Sequence, residues 1–170
     1  YQKQADALDT EALLRAFERA QDLYFRHGIT TIQEGMLPEQ LVPVYQELCR
    51  KNLLRADVVG YADAASGPAI RSELGAHVGR YRDNFRLGGY KMFLDGSPQG
   101  RTAWMRQPYA GEAAYRGYPA LTDEQVEEYL RQGAADSMQV LAHCNGDAAA
   151  QQFLDAVEKL EGEGLDVAGI

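Results

Sequence analysis

The stretch Gly88–Tyr109, GGYKMFLDGSPQGRTAWMRQPY, decides how the chain is read. Tyr90 to Leu94 read as a strand entered from a glycine pair and ended by Asp95-Gly96-Ser97. Lysine is among the residues least often buried, yet Lys91 stands inside this apolar run. A long polar loop with Gln99, Arg101, Thr102, Trp104 and Arg106 follows it. A polar loop leaving the C-terminal end of a strand is where α/β proteins place their ligands.

Working outward, helix and strand patterns alternate. Asp9 or Thr10 caps a helix that runs to His27 and stops at Gly28, with Leu13, Phe17, Ala20 and Tyr24 on one stripe beside Leu14 and Leu23. Ile29 to Gln33 predicts a strand, and Pro38 opens a second helix with Leu41, Val44, Tyr45 and Leu48 on one face. Asn52 suits a left-handed stop. Ala56 to Ala62 predicts the next strand, and Pro68 opens a weaker helix to about Arg82, diluted by Gly75 and Gly79. Beyond the loop, Thr122 and Gln125 make a capping box before a helix whose apolar face holds Val126, Tyr129 and Leu130. Met138 to Ala142 predicts a short strand ending at His143. Asp147 is expected to cap a last helix with Ala150, Phe153, Leu154 and Val157 inward, and GLDVAGI to lead into another strand.

Such alternation implies a parallel sheet with helical crossovers. No glycine-rich phosphate fingerprint follows any strand, which favours a barrel over a nucleotide-binding open sheet. Four strands are half of a (β/α)8 barrel. The expected fold is therefore α/β, about strands 2 to 5 of a TIM barrel with their helices, and residues 1–170 are one segment of a barrel domain whose other strands lie outside the chain.

Composition narrows the partners. Hydrophobic residues make up 45% and charged residues 25% of the 170, as in a globular chain. A formal charge of −8 argues against nucleic acid. No apolar run reaches the ~18 residues of a membrane helix, so no membrane partner is expected; a cytoplasmic location and a small-molecule substrate are the further expectations. Cys49 and Cys144 lack metal-type spacing and read as reduced, partly buried thiols.

Side chains alternate across a strand. Lys91, Phe93 and Asp95 share one face, and Gln139, Leu141 and His143 share the matching one. Tyr90, Met92 and Leu94, with Val140 and Ala142, form the faces that helices would cover. In a barrel Lys91 and His143 then point inward. Lys91 and Asp95 stand roughly 13 Å apart along the strand, too far to pair. An inward lysine is costly unless neutralised, paired or modified: a carboxylated lysine can bridge two cations, and a neutral histidine is a natural zinc ligand. A lysine paired with an acid and a histidine bonded to a carbonyl are the structural alternatives. His27 and His77 read as structural.

GITTIQEG, the Gly88–Tyr109 stretch and HCNGDAAAQQFLDA together resemble the amidohydrolase superfamily. The resemblance is to its branch of bacterial metal-dependent hydrolases that includes N-substituted formamide deformylases and the exoenzyme regulatory protein group. It covers nearly the whole chain, and the lysine strand with its DGSPQGRTA loop is the most specific part. It implies a (β/α)8 barrel with a divalent metal, zinc, at the C-terminal ends of the strands. It further implies that Lys91 is the fourth-strand ligand, carboxylated, and His143 the fifth-strand ligand. The family's His-x-His, its sixth-strand histidine and its eighth-strand aspartate have no counterpart here and are expected before Tyr1 and after Ile170. No general base is therefore expected within the segment.

The expected function is metal-dependent hydrolysis of an amide, formamide or carbamate-like C–N bond, with the isolated segment inactive. Asp95, Gln99, Arg101 and Trp104 are candidates for shaping the pocket or supporting the metal's surroundings. The alternative is a non-catalytic regulatory or small-molecule-binding α/β domain. Two open sheet edges and a half-exposed inner face also predict self-association or a homodimer.

Overall fold

The structure, a computed structural model, describes residues 9–167. It divides into two compact units, one ending at Gly88 and the other starting at Gly89. In the first, helix α1 (Thr10–Arg26) is followed by strand β1 (Thr31–Leu37), helix α2 (Val42–Arg50), strand β2 (Asp57–Asp63) and helix α3 (Gly67–Glu73). Strand β3 (Phe85–Phe93) crosses from the first unit to the second, which continues with helix α4 (Asp123–Asp136), strand β4 (Gln139–His143) and helix α5 (Asp147–Gly162). The four strands form one sheet in the order β1-β2-β3-β4. β1 pairs with β2, and β3 with β4, in parallel. The architecture is α/β, consistent with part of a (β/α)8 barrel.

The first unit is built on a seam of aromatics. The Tyr45 ring of α2 lies 4.9 Å from that of Phe85 of β3, tilted by 33°, and meets Phe17 of α1 edge-on at 5.5 Å. Tyr45 is buried but not left unpaired: its hydroxyl donates to Glu34 Oε2 at 3.0 Å. Burial first, and then the Glu34 charge, push this phenol well above its ordinary range. The α1 stripe is centred on Leu14 and Gln21, while Leu23 and Tyr24 are exposed. Gln21 is the buried polar residue that apolar periodicity cannot find. Its amide donates to the carbonyls of Phe17 and Leu53 and accepts from the N–H groups of Arg55 and Ala56, so every bond of the side chain is made.

Several boundaries differ from expectation, each for a local reason. β1 starts later than Ile29 and runs through Glu34-Gly35 to Leu37, absorbing an irregularity in its register with β2. The Pro68 helix stops at Glu73, giving way to a 3-10 turn at Gly75–His77, where the two glycines had diluted the pattern. His77 is buried there, its Nδ1 3.3 Å from the Phe85 carbonyl. The lysine strand has nine residues, not five, and the glycine pair lies inside it. A Cβ at Gly89 would overlap the carbonyl of Gln139 on β4, so glycine here permits close strand approach. Asn52 does take a left-handed φ of 55° after α2, and the Thr122–Gln125 capping box is present.

In α5 the cap is Gly146, and Asp147 is the first helical residue. Its buried face is Ala149, Gln152, Ala156 and Leu160; Leu154, expected inward, is exposed. Asp147 instead accepts from the backbone N–H of Arg106 at 2.7 Å, which ties the long loop to the helix start. Residues 165–167 form no strand, and the end of the expected strand lies outside the described residues.

Candidate functional site

In the second unit, Tyr90, Met92 and Leu94 are buried and so is Val140, leaving Lys91, Phe93, Leu141 and His143 on the opposite face. The register sets Lys91 beside Leu141 and Phe93 beside His143. Phe93 and His143 close their strands at the C-terminal ends. The Phe93 ring is the common neighbour: its centroid is 5.1 Å from the His143 ring centroid and 5.1 Å from Lys91 Nζ. Lys91 is half-buried, and among the described residues no carboxylate pairs with it. Burial lowers its pKa from the ordinary lysine value, while the Cys144 thiol opposes the shift. Cys144 is itself half-buried, and burial, then the Asp95 charge, raise its pKa, so it is held as a neutral thiol.

Asp95 lies outside the strand and is turned into the protein, 5% exposed. One oxygen accepts from the N–H of Asn145 at 2.9 Å, the other from those of Trp104 at 2.8 Å and Gly146 at 2.7 Å. A carboxylate that accepts three backbone N–H groups is a structural anchor. It draws the loop after β3, the turn after β4 and the start of α5 to a single point. Trp104 belongs to this anchor through its backbone: its carbonyl also accepts from the N–H of Ala148 at 3.1 Å.

Gln99 and Arg101 are not part of it. Gln99 sits exposed in the Pro98–Arg101 turn. Arg101 has a φ of 54°, pairs with Glu112 at 2.6 Å and accepts the Tyr115 hydroxyl on its carbonyl at 2.8 Å, all within the loop. Of the expected pocket residues, the structure thus uses Asp95 and Trp104 as scaffold and Arg101 as a loop brace.

The residue that sequence reasoning passed over is Asn145. Its Nδ2 lies 3.0 Å from His143 Nε2 and donates to the Gly96 carbonyl at 2.7 Å. The Asn145-Gly146 pair reads as turn chemistry, and only the spacing of two from His143 could have hinted at another role. A metal would find two donors on this face, Lys91 and the His143 imidazole; among the described residues no cluster of three histidine, cysteine or carboxylate ligands exists. Two such side chains are too few by themselves to hold a metal ion.

The sequence profile of the amidohydrolase family matches residues 1–168. The chain belongs to the amidohydrolase family. Within this family the Bacillus subtilis (strain 168) protein named "Putative amidohydrolase YtcJ" is 25% identical over 168 residues, covering 84% of this amidohydrolase chain and 32% of that protein. Two solved structures share its fold with a TM-score of 0.79. One is an uncharacterized metal-dependent hydrolase from Pyrococcus furiosus, 24% identical, and the other an uncharacterized metal-dependent hydrolase from Pyrococcus horikoshii OT3, 23% identical. Each match covers 91% of this chain and 32% of the solved one. The chain thus spans about a third of the length of these relatives.

Proposed function

We propose that this chain is the middle of a metal-dependent hydrolase that cleaves a C–N bond of the amide, formamide or carbamate type. Lys91 and His143 would hold the cation, Lys91 as its carbamate, which replaces an ammonium by an anionic oxygen pair. The observation that carries the reading is the shared face: Lys91 and His143 flank Phe93 on adjacent parallel strands, and Lys91 has no carboxylate partner among the described residues. Family membership and the likeness in fold to the two Pyrococcus metal-dependent hydrolases support it. When bound, a divalent cation such as zinc supplies a hydroxide nucleophile near neutral pH and polarises the substrate carbonyl. The chain's own part is to orient the His143 ring against Phe93 and to hold Lys91 on the same face. Asp95 keeps the loop and the α5 start in place around them.

Structural or catalytic zinc normally takes three or four protein ligands, and this face offers two. The isolated chain should bind zinc weakly and turn over no formamide or amide. Calorimetric zinc titration beside a hydrolysis assay tests this, and tight binding with turnover would overturn the assignment of ligands. In the longer protein, Lys91→Ala and His143→Ala should each lower both the metal content and the turnover. Full activity in either variant would remove that residue from the site.

The reading extends to self-association of the isolated chain. β1 and β4 end the sheet order, Ile29 is 41% exposed and Phe93 39%. Burying each such side chain contributes roughly 1.5–3 kcal/mol. Sedimentation of the chain decides the point: a monomer at high concentration refutes it.

A further inference from the structure

Helices α4 and α5 flank a groove of about 260 Å3 in the second unit, lined by Asp123, Glu124, Glu127, Gln152, Asp155 and Lys159. Gln152 is its buried polar residue, 7% exposed. Its Nε2 donates to the Leu121 carbonyl at 3.0 Å and to Asp123 Oδ1 at 2.8 Å. Both partners can only accept, so the amide cannot be turned end for end. Its Oε1 is thereby left buried with no donor among the described residues, a costly state that native folds rarely tolerate. The lining sets four carboxylates against one cation, Lys159. That ammonium is engaged elsewhere, donating to the two Glu127 oxygens at 2.7 and 2.8 Å. Gln152 stands seven positions before it on α5, roughly 10 Å along the helix. One end of the groove is thus filled by the chain's own ammonium, and the other has acceptors and no cation among the described residues. Asp155 has one oxygen there on Gln151 Nε2 at 2.7 Å.

We propose that this second end binds a protonated primary amine, a small alkylammonium ion whose N–H groups are shared by Gln152 Oε1 and the Asp123 and Asp155 carboxylates. A metal ion is the poorer fit. Oxygen ligands stand about 2.0–2.6 Å from magnesium or calcium, and among the described residues no three carboxylate, histidine or cysteine side chains are placed to share one. An ammonium bonds to its acceptors at about 2.7–2.9 Å. It carries three donors and no acceptor, which matches a site built of acceptors alone. The groove shares no residue with the face of Lys91 and His143, so the proposal stands apart from the hydrolase reading.

The test follows the Gln152 side-chain amide of the full, 15N-labelled chain by proton–nitrogen correlation, its signal assigned through bonds from the α5 backbone and checked by its loss in Gln152→Met. Butylammonium chloride, added at constant ionic strength, should move that signal along a saturable curve, because a donor on Oε1 polarises the amide. Tetramethylammonium chloride, which carries the charge and no N–H, should leave it in place, and so should calcium chloride. Asp155→Ala should weaken butylammonium binding by about three- to fivefold, as for an exposed ion pair. Absence of a saturable shift overturns the proposal. An equal shift with tetramethylammonium overturns it in favour of charge alone, and a larger one with calcium overturns it in favour of a metal ion. Unchanged affinity in Asp155→Ala overturns the part given to that carboxylate. The native titration decides the matter whether or not Gln152→Met folds.

Discussion

Replacing Asp95 by alanine removes the acceptor of three backbone N–H groups at once. Hydrogen bonds to a charged group contribute about 1.5–3 kcal/mol each, and a buried donor left without a partner costs about 1–3 kcal/mol. The three donors are not equivalent. The bond from Gly146 is buried, so that N–H bears the whole cost, about 2–3 kcal/mol, whereas those from Trp104 and Asn145 are part-buried and regain water, for about 1 kcal/mol each. The sum is about 4–5 kcal/mol, a large share of the 5–15 kcal/mol by which domains are stable. With a urea m-value of about 2 kcal/mol/M, the unfolding midpoint should fall by roughly 2 M. Circular dichroism through a urea series, read against Asp155→Ala on the exposed side of α5 as a control, measures it. Asp95→Asn should fall between the two, since one oxygen remains. A midpoint within about 0.5 M of the native one would show that solvent replaces the carboxylate and that the anchor argument is wrong.

Three further expectations follow from single contacts. Gln21→Leu gains an apolar side chain in the core but strands the N–H groups of Arg55 and Ala56 and the Leu53 carbonyl; it should lower the melting temperature by roughly 10 °C, for a loss of about 3 kcal/mol. Gly146→Ala places a methyl against the Trp104 backbone at an extended φ of −89°, so the obstacle is space and not conformation. Because backbone cannot step aside, the loss should reach or exceed about 3 kcal/mol by denaturant titration. Cys49, buried and pushed up to about 11, stays neutral in the fold between pH 9 and 11 while the unfolded thiol ionises. Its contribution is therefore complete below pH 9 and is lost as pH rises towards 11, and at pH 8 the native thiol should resist alkylation that the urea-unfolded chain accepts.

Much of this was legible in the order of residues. Period-two alternation around Lys91 separated the covered Tyr90-Met92-Leu94 face from the open one, and the alternation of helix and strand patterns led to a parallel sheet. The errors cluster where tertiary contact overrides local pattern. Gly88 and Gly89 looked like a strand entrance because glycine weakens strands, but neighbouring strands approach too closely there for a side chain. The inward face of α5 was placed about a residue off because Leu154 is the more apolar choice, while Ala149, Ala156 and a hydrogen-bonded Gln152 are what the packing accommodates. Gln21 and Asn145 were missed for one common reason. Their roles rest on backbone partners more than thirty or nearly fifty positions away, Leu53 and Gly96, and no local period records that.

The division of labour within DGSPQGRTA bears on how such a motif is read. It is the stretch that looks most specific to the family, which tempts one to seek chemistry in each of its polar residues. The hydrogen bonds assign most of them elsewhere. Asp95 gathers three backbone N–H groups. Thr102 closes the turn on Ser97 from both backbone and side chain. Arg101 braces Glu112 and Tyr115. Each of these contacts fixes where the loop goes after β3, and through Asn145 the anchor reaches the imidazole of His143. A catalytic group must be held within about half an ångström of its working position, and here one buried carboxylate supports the turn that carries both Asn145 and the end of β4. The specificity of the motif is then that of a scaffold beside the face that carries Lys91, Phe93 and His143. Substitution of Asp95 should therefore lower stability and disturb the His143 ring together, whereas substitution of Gln99, exposed in its turn, should do neither.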